Sequence, residues 1–595
     1  MTREKPTNAS EGPNPYPEVT KVRGHVARSD VVYLSKVSGA YTLFHFDPAT
    51  SESRQLRYTD EPVTDSPLGG DFAVHPTKPW VFMTKDRDGD RQCDLLLIDV
   101  STNAARTLAE QIGCVHSLKT YREASAIAAT TTADSLRLLQ ISIDGNTRVL
   151  HETDQQMASL AVSDRHGRAF ISVGRRTTAL LSVDVETGEV QTWIEPGVSR
   201  QGALAVDEEA GLLAHALSVE GEPERLVIRS IDSGNVVAET TVPGDVGFFV
   251  QDSGYLAWAD PETVVVSIGN RGICTLRTYD LGTDSWSESL VNGVAEYLAR
   301  TSNGVLFSAS SHTFSNSLHR FLDGRVETLT EPKRQTDTVP ESVTFTSFDG
   351  EEIQGWLTRA DDEAERLAVV CHGGPTYADV NMWGSTGGFI ALLRMMGFHV
   401  FQPNFRGSTS FGARFMNLNV GDIGGADLQD VLCAAREISR RLGIETKPII
   451  MGASYGGYLT LLAMTTQPDE WGGGVAVVPV ADLKHSYELA DSHYKRFTEH
   501  FLDGTPEEKP DLYRERSPIT HIEGLRGPLL VYAGESDPAA AFAPVKCFVD
   551  RAEELGKEVT FLSTRGGHGI GDKKTGELLY EGVHVFLERI VAEAA

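Results

Sequence analysis

Two textures of apolar patterning divide the chain. From about residue 21 to about 335, short apolar runs of strand length alternate with turn residues. No long stretch there carries the 3.6-residue period of an amphipathic helix. An apolar strand followed by an aspartate turn recurs, as in Ile98-Asp99-Val100, Val183-Asp184-Val185-Glu186-Thr187-Gly188 and Tyr279-Asp280-Leu281-Gly282. The aspartates marking it are Asp47, Asp99, Asp144, Asp184, Asp232, Asp280 and Asp323, between 40 and 52 residues apart. Seven hairpin turns at roughly the 40–50-residue spacing of a blade predict a seven-bladed β-propeller. A pair of β-sandwiches with similar turns is the alternative.

Past Val343 the pattern changes. A hairpin around Phe348-Asp349-Gly350 leads into apolar runs at Leu367–Cys371, Phe398–Gln402, Ile449–Met451, Gly474–Val480, Leu529–Ala533 and Val559–Leu562. Between them lie helical faces. Leu428, Val431, Leu432, Ala435, Ile438 and Leu442 mark one, closed by Gly443, and a last helix covers about Thr575 to Ala592. Strands alternating with helices predict a mostly parallel, doubly wound sheet of the α/β-hydrolase type. The expected organisation is a polar lead over 1–20, a propeller over 21–335 and a hydrolase domain over 336–595.

Composition narrows the function. At 595 residues the chain is too long for one core. Its 40% apolar and 23% charged residues are those of a soluble globular protein, and no apolar run reaches the ~18–20 residues of a membrane span. A net charge of −29 with no offsetting basic run argues against nucleic acid or anionic membranes as partners. The start, polar and rich in proline, has no secretory h-region. Six cysteines (Cys93, Cys114, Cys274, Cys371, Cys433, Cys547) without a CxxC read as reduced residues of a cytoplasmic protein rather than as a metal site. Asp86-Arg87-Asp88-Gly89-Asp90 fails the EF-hand pattern, because Arg91 and Leu97 stand at loop positions six and twelve, so a hairpin tip is expected. Neither a cofactor nor a metal is expected.

The candidate chemistry sits on loops at the carboxyl ends of the sheet strands. Ile449-Ile450-Met451-Gly452-Ala453-Ser454-Tyr455-Gly456-Gly457 reads as strand, tight turn and helix, with Ser454 at the apex. A bare GxSxG is common by chance; the flanking elements strengthen it, and an acid and a histidine in order strengthen it further. Asp537 follows Leu529–Ala533 and His568 follows Val559–Leu562, giving the order Ser, Asp, His. His568 would take the serine proton, and Asp537 would fix its tautomer and stabilise the imidazolium. Glu535 is the rival acid. The Tyr455 N–H and an N–H of Gly373-Gly374 would stabilise an oxyanion, such a donor being worth about 3–4 kcal/mol of barrier. His372 opens that loop and reads as its hydrogen-bonded anchor.

Gly452-Ala453-Ser454-Tyr455-Gly456-Gly457-Tyr458, together with Asn404-Phe405-Arg406-Gly407-Ser408, Gly421-Asp422 and the Gly534–Asp537 turn, resembles the motifs of the prolyl oligopeptidase family of serine peptidases. The resemblance spans the chain, since that family joins an N-terminal propeller to a C-terminal hydrolase domain. It implies a peptidase restricted to short peptides, with the propeller screening a cavity between domains. His372-Gly373-Gly374-Pro375 is similar to the acylaminoacyl-peptidase branch. Prolyl oligopeptidase and the dipeptidyl peptidase IV type carry a tyrosine at the place of His372, and its hydroxyl serves the oxyanion hole. The histidine here favours the backbone pair Gly374 and Tyr455. Members of the acylaminoacyl branch often carry an arginine two residues after the triad aspartate. Here Ala539 and Ala540 follow Pro538, and Arg406, whose family equivalent looks structural, is the substitute within reach.

The expected activity is therefore a serine exopeptidase or oligopeptidase that recognises a free substrate N-terminus through propeller carboxylates the sequence does not identify. Alternatives are an acylaminoacyl-peptidase, or a hydrolase of a small non-peptide amide or ester. A non-catalytic binding protein would not need the intact triad and both glycine loops. The expected partner is a short peptide or small amide or ester, with neither nucleic acid nor membrane, and with room for a homo-oligomer.

Overall fold

The computed structural model describes residues 19–593 except 26–27, 38–39, 51, 57–70, 87–91, 133–134, 156, 175–176, 198, 248–253, 333–335, 337, 361–363, 384–388, 491 and 569–572. Most of the expected N-terminal lead, and the Arg87–Arg91 tip, thus lie outside the described residues. The strands flanking that tip, Trp80–Asp86 and Cys93–Asp99, pair antiparallel as a hairpin would.

Seven antiparallel sheets follow one another from Val19 to Thr328. Their innermost strands are Val19–Arg23, Phe72–Val74, Cys114–Tyr121, Met157–Ser163, Ser199–Asp207, Leu256–Trp258 and Val294–Thr301, each in contact with the next around a ring. This is a seven-bladed propeller, numbered I to VII in chain order. Each marker aspartate ends the third strand of its blade or stands within two residues after it. At Asp47, Asp99, Asp184 and Asp280 the carboxylate takes the turn's own N–H groups, as when Asp184 Oδ1 accepts from Glu186 N (3.0 Å) and Thr187 N (2.8 Å).

The middle strands of the blades are buried on both faces, which is why they read as apolar runs, while the outermost strands are largely exposed. In blade II, Cys93, Leu95 and Leu97 pack toward blade III while Ile98 packs toward blade I. One apolar cluster fills each of the seven gaps between neighbouring blades. The gap that closes the ring is filled by Val22, Val31, Tyr33, Phe44 and Phe46 of blade I against Leu306 and Leu318 of blade VII. Blade VII is built wholly from consecutive chain, so side-chain packing closes the ring without a shared blade.

The second unit is an eight-stranded sheet: β1 Glu341–Thr346, β2 Glu352–Thr358, β3 Arg366–Cys371, β4 Phe398–Asn404, β5 Ile449–Ala453, β6 Gly473–Val477, β7 Leu529–Gly534 and β8 Val559–Thr564. Its order is β1-β2-β4-β3-β5-β6-β7-β8. The first two strands run antiparallel to their neighbours and the rest are parallel. Alternation splits the core cleanly. Leu367, Val369 and Cys371 face the helices Ala426–Leu442 and Tyr455–Thr466, while Ala368 and Val370 face Phe389–Met395 and Lys573–Glu593. Gly443 caps Ala426–Leu442 in the left-handed conformation, as expected from its place after the last apolar position. Among the described residues no helix is long and apolar enough to cross a membrane.

The two units meet along blades V to VII. Asn381, on the loop after β3, accepts from Cys274 N (2.6 Å) and donates to Cys274 O (3.1 Å). Gly412 N donates to Asp245 Oδ2 (2.7 Å) and Arg271 N to Ser410 O (2.5 Å). Tyr255, Cys274 and Val294 pack on Ala378 and Val380.

Burial of neutral histidine makes the propeller sensitive to acid. His319, 7% exposed in blade VII, stacks on Phe307 at 5.6 Å and pairs through Nε2 with Ser317 Oγ (2.9 Å). Burial pushes its imidazole down to about 4, so the folded ring stays neutral where the unfolded chain takes up a proton near 6.5. The resulting stability is present above pH 6.5 and is lost as pH falls toward 4, by about 2 kcal/mol at pH 5. His319→Gln is expected to shrink the fall in Tm between pH 7.5 and pH 5, measured by thermal melts; an unchanged fall would contradict the assignment.

Candidate active site

β5 delivers the chain into a turn so tight that its neighbours are backbone. A Cβ on Gly456 would lie 2.1 Å from the Cys371 carbonyl oxygen, and one on Gly452 would lie 2.4 Å from the Gly456 carbonyl carbon. Ser454 sits at the apex with φ 57° and ψ −116°, and its N–H is held by Val477 O (2.9 Å). Tyr455 begins the next helix, so its N–H has no intrahelical partner.

The structure brings the three sequence-derived residues together from three loops. Ser454 Oγ lies 2.9 Å from His568 Nε2, and His568 Nδ1 lies 2.8 Å from Asp537 Oδ2. Asp537, its side chain 1% exposed, is fixed through Oδ1 by the N–H groups of Ala539 and Ala540, both at 2.8 Å. Glu535 is exposed and faces Ser563 Oγ (3.4 Å) instead. The carboxylate can only accept, so Nδ1 carries the proton and Nε2 is left to accept from the serine hydroxyl.

The loop after β3 closes the other side. Gly373 comes so near that an added Cβ would meet Ser454 Cβ at 3.5 Å, and Gly374 holds φ +125°, open to glycine. His372 gives its Nδ1 proton to Gly373 O (2.7 Å) and accepts at Nε2 from Ser408 Oγ (2.8 Å). Burial pushes its imidazole down to about 4, so it stays neutral and anchors the loop. Arg406 is also occupied. It forms paired bonds to Asp349 (2.9 and 3.0 Å) and to Asp430 (2.8 Å each), so its guanidinium is spent inside the domain.

Sequence reading missed the groups lining the space between propeller and hydrolase. A cleft of about 440 Å³ is bordered by Thr177, Arg200, Ser218, Glu220, Ala413 and Met416. It shares Arg200, Ser218, Ala413 and Met416 with a recess reaching Glu224, Asp245 and Tyr255. Ser454 lines neither. Burial raises the carboxyls of Glu224 and Glu296 to about 7 each and that of Asp245 upward, the first helped by its neighbour Asp245. Nothing in the sequence shows which blade strands and connections face the hydrolase domain, so these carboxylates had no distinguishing signal.

A propeller is docked on an α/β-hydrolase sheet that brings a serine, a histidine and an aspartate into hydrogen-bonded series at its strand ends. Residues 384–594 match the profile of the prolyl oligopeptidase family. Among curated proteins, dipeptidyl aminopeptidase BIII of Pseudoxanthomonas mexicana is 26% identical over 418 residues, covering 67% of this chain and 54% of that one; the chain thus spans about half the length of this relative. Among solved structures, a puromycin-hydrolyzing peptidase of Mycobacterium tuberculosis superposes with a TM-score of 0.84 at 18% identity, covering 97% of this chain and 96% of that one. Pyrococcus horikoshii acylaminoacyl peptidase does so at 0.72 and 17%, covering 96% of each chain. At these identities the likeness is one of fold.

The crowding around Gly456 yields a direct expectation. Gly456→Ala would drive a methyl into the backbone of β3, which cannot yield, so reaction with a serine-directed fluorophosphonate should slow at least about 100-fold. Gly443→Ala, where a Cβ meets open space, should be labelled normally and lose only about 1 kcal/mol in urea unfolding. Equal labelling of the two variants would contradict the description of the turn.

Proposed function

We propose that the protein is a serine peptidase of short peptides, acting through an acyl-enzyme on Ser454. The propeller module covers 21–335 and the catalytic module 336–595. The observation that carries this reading is the Ser454–His568–Asp537 series at 2.9 and 2.8 Å. His568 accepts the proton of Ser454 as Oγ attacks the scissile carbonyl, and Asp537 stabilises the imidazolium so formed. The N–H groups of Gly374 and Tyr455 receive the oxyanion. On collapse His568 returns the proton to the leaving amine, and a water then repeats the sequence to release the acid.

The end of the substrate that is held follows from the charge around the cleft. Ala539 and Ala540 offer no guanidinium and their N–H groups already hold Asp537, while Arg406 is fully paired. Glu224 and Asp245 line the recess at the domain seam, and burial raises both carboxyls; Arg200, which shares the recess, offsets this for Glu224 only in part, so the pair ionises readily only beside a further cation. An α-ammonium supplies one. The reading is therefore an aminopeptidase-type enzyme for substrates with a free N-terminus. The opposite reading, an acylaminoacyl-peptidase, draws on the His372-Gly373-Gly374-Pro375 loop.

A fluorophosphonate should label the protein once, at Ser454, and Ser454→Ala should abolish labelling while leaving the melting curve in place; intact-mass analysis placing the adduct on another serine would sink the assignment. A panel of aminoacyl p-nitroanilides, their N-acetylated counterparts, puromycin and simple esters then sorts the substrate class. Acetylation should lower kcat/KM at least about tenfold, or ~1.4 kcal/mol. Equal or faster cleavage of the acetylated compounds would reverse the choice of substrate end.

A further inference from the structure

Behind Ser454 lies a carboxyl that the triad does not use. Asp427, in the first turn of the helix Ala426–Leu442, is 0% exposed. Its Oδ2 accepts the hydroxyl of Tyr455 in a short hydrogen bond and the N–H of Gly424 (3.3 Å), and its Oδ1 accepts Leu428 N (2.7 Å). No cation is bonded to it. Tyr455 is the residue after the serine, and its ring is 7% exposed.

From Tyr455 a run of rings crosses to the other glycine loop. The Tyr455 ring lies 6.1 Å from Phe405, and Phe405 stacks on His372 at 4.2 Å and 17°. His372 directly precedes Gly373 and Gly374 and is held by Ser408. Both proposed oxyanion donors, the N–H groups of Tyr455 and Gly374, are therefore attached to one stack, anchored by Asp427 at one end and Ser408 at the other. A buried acid paired with a phenol is a poor source of stability, because desolvating the carboxylate offsets much of the bond. Burial raises the Asp427 carboxyl to about 7 and Tyr455 well above its usual value. An apolar pair of the same volume would pack there at lower cost, so the arrangement calls for a role other than stability.

We propose that Asp427, through the Tyr455 hydroxyl, is a positioning residue that fixes the direction and separation of the two oxyanion N–H donors. It touches neither substrate nor reacting atoms. The inference rests on the reading of Ser454 as nucleophile and of Gly374 and Tyr455 as the oxyanion hole. Donors aimed at a developing oxyanion act over a few tenths of an ångström, and misplacement by about 1 Å costs on the order of 100-fold in rate. A loosened Tyr455 should therefore weaken transition-state binding and leave ground-state binding alone.

The test compares Tyr455→Phe, Asp427→Asn and Asp427→Leu, each labelled to completion with fluorophosphonate so that kcat is expressed per reactive serine. Tyr455→Phe keeps the ring and the N–H and removes only the hydroxyl; Asp427→Asn keeps an acceptor for it. Tyr455→Phe and Asp427→Leu should lose about tenfold or more in kcat with KM within twofold. They should also lose affinity in parallel for a peptide aldehyde, whose hemiacetal oxygen occupies the oxyanion hole. Asp427→Asn should recover to within about threefold of the parent. Retention of kcat per reactive serine within twofold in Tyr455→Phe would overturn the proposal, even if Asp427→Leu fails to fold. A loss in Asp427→Asn equal to that in Asp427→Leu would also overturn it, by showing a role in packing alone. Activity surviving in Ser454→Ala would instead overturn the underlying reading of the nucleophile.

Discussion

Ser454 is held at φ 57°, ψ −116°, a conformation that an L-residue keeps only when its surroundings over-determine it. What does so here is crowding of backbone against backbone. Gly456 packs on the carbonyl of Cys371 at the end of β3, and Gly457 packs on the carbonyl of Val477 at the end of β6. The strands on either side of β5 thus grip the turn that follows it. Because the same strand ends emit the Gly373–Gly374 loop and the segment after Val477, the contact that strains the serine also sets the neighbours it meets. The strain at Ser454 and the approach of the Gly373–Gly374 loop are in this sense one constraint, imposed by the spacing of adjacent parallel strands.

The propeller answers a different problem. Each blade sheet is apolar on both faces and cannot bury either alone, so stability comes from the gaps between blades rather than from any blade's interior. The ring must therefore close, and it does so through Tyr33, Phe44, Phe46, Leu306 and Leu318. Arg200 and Glu296 stand on innermost strands, while Glu224 and Asp245 stand on connections and short strands beside them. The ring meets the hydrolase domain at a seam whose cleft lies between Arg200 and Met416.

Much of this was legible in the sequence, for reasons that can be named. The repeat was visible because a tight turn leaves N–H groups that a neighbouring carboxylate satisfies, as at Asp47, Asp99, Asp184 and Asp280, and that chemistry is local. Ser454, Asp537 and His568 were visible because each stands at the carboxyl end of an apolar run, where an α/β sheet exposes its loops. Arg406 was suspected of being structural, and its pairing with Asp349 and Asp430 shows where the charge goes. Asp427 was not legible. It sits at the start of a helix, where an acidic residue is explained by the helix dipole, and only the fold reveals Tyr455 above it. Glu224, Asp245 and Glu296 were hidden for a related reason: a charged residue on a blade strand looks solvent-facing until the ring places it at the domain seam.

The carboxylates themselves sort by the direction in which their surroundings push them. Asp99 and Asp280 are pulled down chiefly by hydroxyl groups of their turns, Asp184 by a turn N–H, and Asp349 to about 2 by Arg406. These are satisfied, and they hold the scaffold. Glu224, Asp245, Glu296 and Asp427 are pushed up, first of all by desolvation, and none is bonded to a cation. Asp164, in a turn of blade IV, is also raised by burial, to about 6, and burial raises Asp430 too although Arg406 is bonded to it. The raised set divides again by access. Asp427 is sealed behind the serine and meets a phenol. Glu224 and Asp245 line a recess that a ligand can reach, and an ammonium entering beside them would favour their ionised form and release a proton. On the proposed reading, substrate binding at the seam is therefore linked to proton release, whereas the Asp427–Tyr455 pair behind the serine acts through geometry.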